Sequence, residues 1–233
     1  MNYDDFLNLV RQRRSIRRFK PDPVPDEYIN KIIDAARLAP SSMNQQPWEF
    51  VVVRDLELRK KILEYCFEYA RFAQKMNNAG EPQSSPAPLA TGGQISPNIA
   101  PVFILLFGDT RTMKAEPRDL QCHQLTIQDI FTSNLASAYM YMHLAATALG
   151  LASAWNSISR TPYPQCMIKT LLGIPGELQL HDVMMLGYPG GEPGTKPMRE
   201  GKMVHYDRCG ADDFRTDEEV LEFTRRSRIK FAL

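Results

Sequence analysis

Residues 130–159 contain no Asp, Glu, Lys or Arg. A run of that length could span a bilayer, for which about 20 apolar residues suffice. Its content points elsewhere. Thr132, Ser133, Asn134, Ser137, His143, Thr147, Ser153, Asn156 and Ser157 interrupt it, Gly150 breaks it, and no basic cluster marks a cytoplasmic flank. The run reads as a helix over about 121–149, buried on nearly all sides and ended by Gly150, followed by a strand over 151–158. A helix that apolar needs more than one covering surface, and an interface with a second copy of the chain would supply the second.

Around this helix, helical and extended periodicities alternate. Residues 3–12 carry Phe6, Leu9 and Val10 on one stripe. Lys20 to Pro25 is extended, because each proline pushes its predecessor out of the helical region. A helix is expected over 26–38, with Ile29, Ile32, Ile33 and Ala36 at helical spacing, Asp26 as its N-cap and Pro40 closing it. The β-branched run Trp48 to Val53 reads as a strand, followed by a helix to about residue 72. Residues 76–100 are rich in Asn, Gly, Pro, Ser and Gln, without an apolar period, and read as a long loop or lid. Val102 to Phe107 is a buried strand, and 109–120 is irregular. A short helix over 165–172 closed by Gly173, a strand over 183–188, a Pro/Gly loop over 189–197, a short strand over 203–206 and a terminal helix over 216–226 complete the reading.

With 233 residues, 43% hydrophobic and 24% charged, the chain can bury a sizeable core, which excludes global disorder and suits one domain over 1–233. Lys and Arg number 28 against 27 Asp and Glu, so no overall field drives binding to nucleic acid or to a membrane surface. Cys66, Cys122, Cys166 and Cys209 lie far apart and form neither a disulfide framework nor a zinc site. His123, His143, His181 and His205 are scattered, so no metal is expected. The N-terminus lacks the apolar core of a signal peptide, and the expected compartment is the cytoplasm.

Four segments carry candidate chemistry. The first, Arg13-Arg14-Ser15-Ile16-Arg17-Arg18-Phe19, sets four guanidiniums and a hydroxyl within six residues. Guanidinium forks bind phosphate in a bidentate manner and serine adds a short hydrogen bond. The second, Ala39 to Trp48, contains Pro40, Ser41, Ser42, Met43 and Asn44 in a rigid turn whose polar groups suit the edge of a flat heteroaromatic ring. The third, Leu149 to Ser157, sets Trp155, Asn156 and Ser157 at a strand end. The fourth, Gly187 to Arg199 followed by Val204-His205-Tyr206-Asp207, adds Lys196 and Arg199. Each alone is equally a solvated basic turn, a helix-to-strand connection, a core tryptophan or a loop.

Together and in this order, RRSIRRF, APSSMNQQPWEFVVV, LGLASAW, GYP, KPMR and VHYD resemble the nitroreductase family of flavin mononucleotide (FMN) enzymes over nearly the whole chain outside 76–128. The resemblance implies an α+β fold with a mixed central sheet flanked by helices, in an intertwined homodimer with FMN at the interface. It implies that Arg13, Arg14 and Ser15 hold the FMN phosphate and ribityl chain, and that Arg17 lies near N1 and O2 of the ring. Pro40, Ser41, Ser42, Met43 and Asn44 would come from the opposite subunit. Ala154, Trp155, Asn156 and Ser157 would lie beside the ring, with Lys196 and Arg199 as a late phosphate clamp whose spacing departs from the family's usual pattern. A cation near N1 favours the anionic reduced flavin. NAD(P)H would be a transient reductant, and turnover would be ping-pong towards a nitroaromatic, quinone, enone or similar acceptor. No side chain is named as catalytic.

No GxGxxG, P-loop, HExxH or GxSxG is present to support another reading. Within the same resemblance, flavin-destructase and reductive-dehalogenase chemistry are alternatives. The first is weakened by Arg18 and Phe19 where an acidic residue is usual. The second is weakened by a 76–100 lid whose one charge is Glu81. A non-enzymatic flavin-binding dimer is the third.

Overall fold

A computed structural model describes residues 2–78, 99–192, 198–199, 201 and 203–229. The elements in chain order are α1 (Tyr3–Gln12), α2 (Asp26–Arg37), β1 (Trp48–Val53), α3 (Leu56–Asn78), β2 (Val102–Asp109), α4 (Arg118–Gln121), α5 (Gln124–Ala148), β3 (Ala152–Asn156), α6 (Pro162–Leu172), β4 (Leu178–Gly187) and α7 (Asp217–Ile229). Short 3-10 turns occupy Ser42–Asn44, Thr110–Ala115, Ser157–Arg160 and Ala211–Asp213.

The apolar run in β2 forms the middle of an α+β core. The sheet order is β1-β2-β4-β3 with every ladder antiparallel. Among the described residues the one parallel feature is an isolated bridge between Ser15 and Ser153 at the β3 edge. Because side chains alternate across a strand, β2 supplies two cores. Val102, Ile104 and Leu106 pack with Met184 and Leu186 beneath α2 and α5. Phe103, Leu105 and Phe107 pack with Val183, Ile62 and Ile168 beneath α3 and α6. Helices on both faces explain why β2 reads as continuously apolar, with no alternation.

The helix foreseen at 121–149 runs from Gln124 to Ala148. Gly150 sits at φ +71, its N–H donates to the Thr147 carbonyl and the Leu151 N–H reaches back to Ala146, which is the Schellman closure. One stripe of α5, including Phe131, Leu135, Ala138, Tyr139 and Met142, is buried. Burial on nearly all sides is not reached within one chain: Leu125, Met140 and Tyr141 stand exposed.

Several boundaries move. Asp26 is the first helical residue of α2 and not its cap; Pro25 takes the cap position with no side-chain cap bond, and the Asp26 carboxylate instead receives the Arg54 guanidinium. The helix expected to end near 72 continues to Asn78, so the lid reading falls on residues 79–98, outside the described residues. Strand β4 begins at Leu178, five residues before the β-branched signal at Val183, because Leu178, Gln179 and Leu180 pair with Asp109, Gly108 and Phe107, and His181 sits at the register shift that follows. Residues 203–206 form no strand. Met203, Val204 and Tyr206 are exposed.

Candidate functional site

The basic segment leaves α1 where the Arg13 N–H closes on the Leu9 carbonyl. It then lies along the β3 edge: Ser15 bridges Ser153, and the Ile16 N–H donates to the Ser153 carbonyl at 3.1 Å. Its far end pairs with the loop after β4. Lys20 N–H donates to Tyr188 O (3.0 Å), and Gly190 N–H donates to Arg18 O (2.9 Å). A Cβ at Gly190 would stand 2.9 Å from the Phe19 carbonyl carbon, so only glycine permits this approach. The first, third and GYP motifs thus meet, although they are far apart in sequence.

The segment gathers positive charge. Burial, and then the neighbouring Arg14 charge, lower the Arg13 pKa from its usual value. Burial alone lowers that of Arg17. Among the described residues no carboxylate forms an ion pair with Arg13 or Arg17. Arg13, half-buried and without an ion-paired carboxylate among the described residues, is a guanidinium whose charge an anion would offset.

Next to it, Arg17, Trp155 and Asn156 share a cavity of ≈ 140 Å³ with Leu63, Phe67 and Ile99. Trp155 is held from below by Tyr139, edge-on at 4.5 Å, and by His143, stacked at 5.5 Å. Asn156 Nδ2 lies 3.7 Å from Cys66 Sγ. Burial pushes the Cys66 thiol up to about 12 despite that contact, so it stays a neutral, apolar wall and not a nucleophile. Ser157 is exposed at the start of the turn that follows. Ala154 is fully buried within the α3/α6 face and does not line the cavity.

Pro40 to Asn44 lies elsewhere. The Ser42 N–H donates to Asn134 Oδ1 (2.9 Å), nine residues before His143 and about 13 Å away along α5 at 1.5 Å per residue. The turn is strained: Met43, Asn44 and Gln46 have φ of 47, 55 and 46, in the left-handed region that non-glycine residues avoid. It is pinned by Gln46 N–H to Ser41 Oγ (3.0 Å), Gln46 Nε2 to Asn44 Oδ1 (3.0 Å) and Gln45 Nε2 to Glu116 Oε1 (2.8 Å). Arg199 is partly buried, and Lys196 lies outside the described residues.

The supporting residues were not singled out from sequence. Asn134 and His143 counted only as polar interruptions of the uncharged run, yet both lie on the buried stripe of α5. A polar side chain on a helix's core face is the signal that could have found them, because it must have a partner. Glu116, at 3% exposure, and Asp182, at 0%, gave no such pattern. Burial raises the Asp182 carboxyl to about 6, eased by Trp155 and by Arg160, whose Nη1 is 4.0 Å away. Burial, then the Arg160 charge, lowers the neighbouring His181 to about 4.

A sheet edge that carries a cationic segment beside a cavity lined by Trp155 and Phe67 is an arrangement suited to a flat ring bearing an anion. The comparisons with known proteins give that arrangement a family. The sequence profile of the nitroreductase family matches residues 10–188, and the chain belongs to that family. It is 31% identical over 189 residues to a provisionally named NADH dehydrogenase/NAD(P)H nitroreductase of Archaeoglobus fulgidus, covering 81% of this chain and 88% of that protein. It is 26% identical to an iodotyrosine deiodinase of Thermotoga neapolitana, covering 85% and 96%. The fold matches a nitroreductase of Bacteroides fragilis solved with bound FMN, at TM-score 0.63 and 22% identity, covering 89% of this chain and all of the other.

Proposed function

We propose that this protein is an FMN-dependent oxidoreductase that takes reducing equivalents from NAD(P)H to a nitroaromatic, quinone, enone or similar acceptor. The observation that carries the reading is the pair of half-buried Arg13 and exposed Arg17, neither ion-paired to a carboxylate among the described residues, along the edge of β3. An FMN phosphate carries close to two negative charges, and this set fits it. When bound, FMN accepts a hydride from the nicotinamide and passes reducing equivalents to the acceptor.

The chain's own residues do the rest. Arg13, Arg14 and Ser15 bind the phosphate and ribityl chain. Arg17 places a positive charge at N1 and O2 of the ring. Trp155, Asn156 and Ser157, with the backbone at Ala154, border the ring, and Lys196 and Arg199 close on the phosphate. Cys66 and the apolar wall exclude water from the cavity.

The functional unit in this reading is a homodimer. A cavity of ≈ 140 Å³ is well below the usual 300 Å³ or more for a cofactor site, so one chain offers only part of one. Tyr3, Phe6 and Val10 on α1 and Leu125, Met140 and Tyr141 on α5 are exposed and apolar. A partner covering them would bring its Pro40, Ser41, Ser42, Met43 and Asn44 to the ring, which explains why this segment lies far from Arg13 in its own chain.

The test is the absorbance spectrum of the purified protein before and after anaerobic NADH or NADPH. A flavin spectrum bleached by either nucleotide and restored by an added nitroaromatic or quinone is the expected result. Colourless protein that FMN cannot reconstitute would overturn the reading. Flavin that neither nucleotide bleaches would instead mark a flavin-binding dimer without turnover. The Thermotoga relative keeps reductive dehalogenation as a second reading, and iodide release from an iodinated phenol under reduction separates the two.

A further inference from the structure

We infer that His143 and Ser153 form a positioning pair that sets the anion-binding segment on the sheet. The inference rests on the reading that Arg13 to Ser15 hold the FMN phosphate. Ser153 carries the tie between that segment and β3: its backbone forms the bridge to Ser15, and its carbonyl accepts the Ile16 N–H at 3.1 Å. Its side chain faces the other way, into the α5 layer, where its Oγ lies 2.7 Å from His143 Nδ1. Both residues are 2% exposed.

A short hydrogen bond between two buried groups fixes the rotamer of each and the local position of the strand. The strand edge in turn sets where Arg13, Arg14 and Ser15 stand. His143 is itself fixed, between the Tyr139 ring at 4.8 Å and the Trp155 ring at 5.5 Å. Helix α5 therefore reaches the phosphate segment through His143 and Ser153, and reaches the ring wall through His143 and Trp155. The pair touches no ligand. It acts through the backbone of β3, so its loss displaces the phosphate clamp more than it alters the cavity.

Comparing FMN with riboflavin, which has the same ring without phosphate, tests this directly. The readout is the ratio of their dissociation constants, from fluorescence titration of flavin-stripped protein, alongside far-ultraviolet circular dichroism. For Ser153→Ala and His143→Leu, FMN affinity should fall about tenfold while riboflavin affinity changes less than about twofold. In His143→Asn the amide can occupy the Nδ1 position, and the ratio should return towards that of the unsubstituted protein.

Arg13→Ala is the control for the underlying reading. If Arg13→Ala loses the preference for FMN but Ser153→Ala keeps it, the positioning role is wrong and the phosphate assignment stands. If Arg13→Ala also keeps the preference, both fall. If Ser153→Ala loses both flavins equally, or if His143→Asn fails to recover the ratio, the pair is merely structural and the inference is overturned. Should His143→Leu fail to fold, Ser153→Ala, which removes one hydroxyl, decides alone.

Discussion

Two segments assigned to the same ligand are held in opposite ways. Arg13 to Arg17 lies along a strand edge and concentrates positive charge: Arg13 is half-buried and crowded by Arg14, Arg17 is exposed, and no carboxylate is ion-paired to Arg13 or Arg17 among the described residues. Ser41 to Gln46 carries little charge and stores backbone strain, with three non-glycine residues at positive φ. A left-handed residue that is not glycine costs roughly 1–2 kcal/mol, and hydrogen bonds to Asn134 and Glu116 offset that cost. In the proposed reading the first segment would contribute affinity for an anion, whereas the second would contribute fixed geometry.

The two roles predict different failures. Arg13→Ala removes a charge-assisted phosphate contact worth about 1.5–3 kcal/mol, so FMN affinity should fall roughly 10- to 100-fold while riboflavin binding holds. Arg199→Ala should act in the same direction if its clamp position is right. Equal loss of both flavins would show that the basic segment does not read phosphate. Glu116→Ala should behave in the reverse way. It frees Gln45 and lets the turn relax, so FMN and riboflavin should weaken together, by about 5- to 30-fold for the loss of 1–2 kcal/mol of anchoring. A loss confined to FMN would erase the distinction between the segments. Met43→Gly sharpens it further: glycine tolerates the left-handed backbone, so thermal stability should rise slightly, by up to about 1 kcal/mol.

The same contrast explains what was legible beforehand. Arg13, Arg14, Ser15 and Arg17 alone read equally as a solvated basic turn, and only their order with the other three motifs singled them out. The uncharged run announced α5 and its need for a second cover, and Leu125, Met140 and Tyr141 are the exposed part of that helix. The strain at Met43 and Gln46 was not legible, since neither residue type favours positive φ and tertiary bonds impose it. Glu116 and Asp182 were invisible for a related reason. A lone acidic residue reads as surface, and only the folded chain shows that β4 carries Asp182 into the core beside His181 and Tyr139. The early start of β4 was missed because pairing with β2, and not the propensity of Gln179 or His181, makes that strand.

The smallest expected effect follows the cationic segment's field into the core. Burial first, and then the Arg13 charge, together lower His143 to about 4. His181 is also near 4, and Asp182 is raised to about 6. A histidine depressed in the folded state contributes stability that is present above its unfolded pKa near 6.5 and is lost as pH falls towards 4. Asp182 opposes this: its contribution is present at low pH and is lost as pH rises through 6. Near pH 5 the unfolded chain holds about two protons on these histidines and the folded chain about one on Asp182, so stability falls with falling pH by roughly one proton's worth, about 1.4 kcal/mol per unit. The melting temperature at pH 5 should therefore lie a few degrees below that at pH 7. Asp182→Asn removes the opposing proton and should steepen the drop. Arg13→Ala lifts part of the field on His143 and should flatten it. A melting temperature that is unchanged between pH 7 and pH 5, in all three proteins, would mean that the buried histidines are not held neutral. The cationic segment's field would then end at the surface instead of reaching α5.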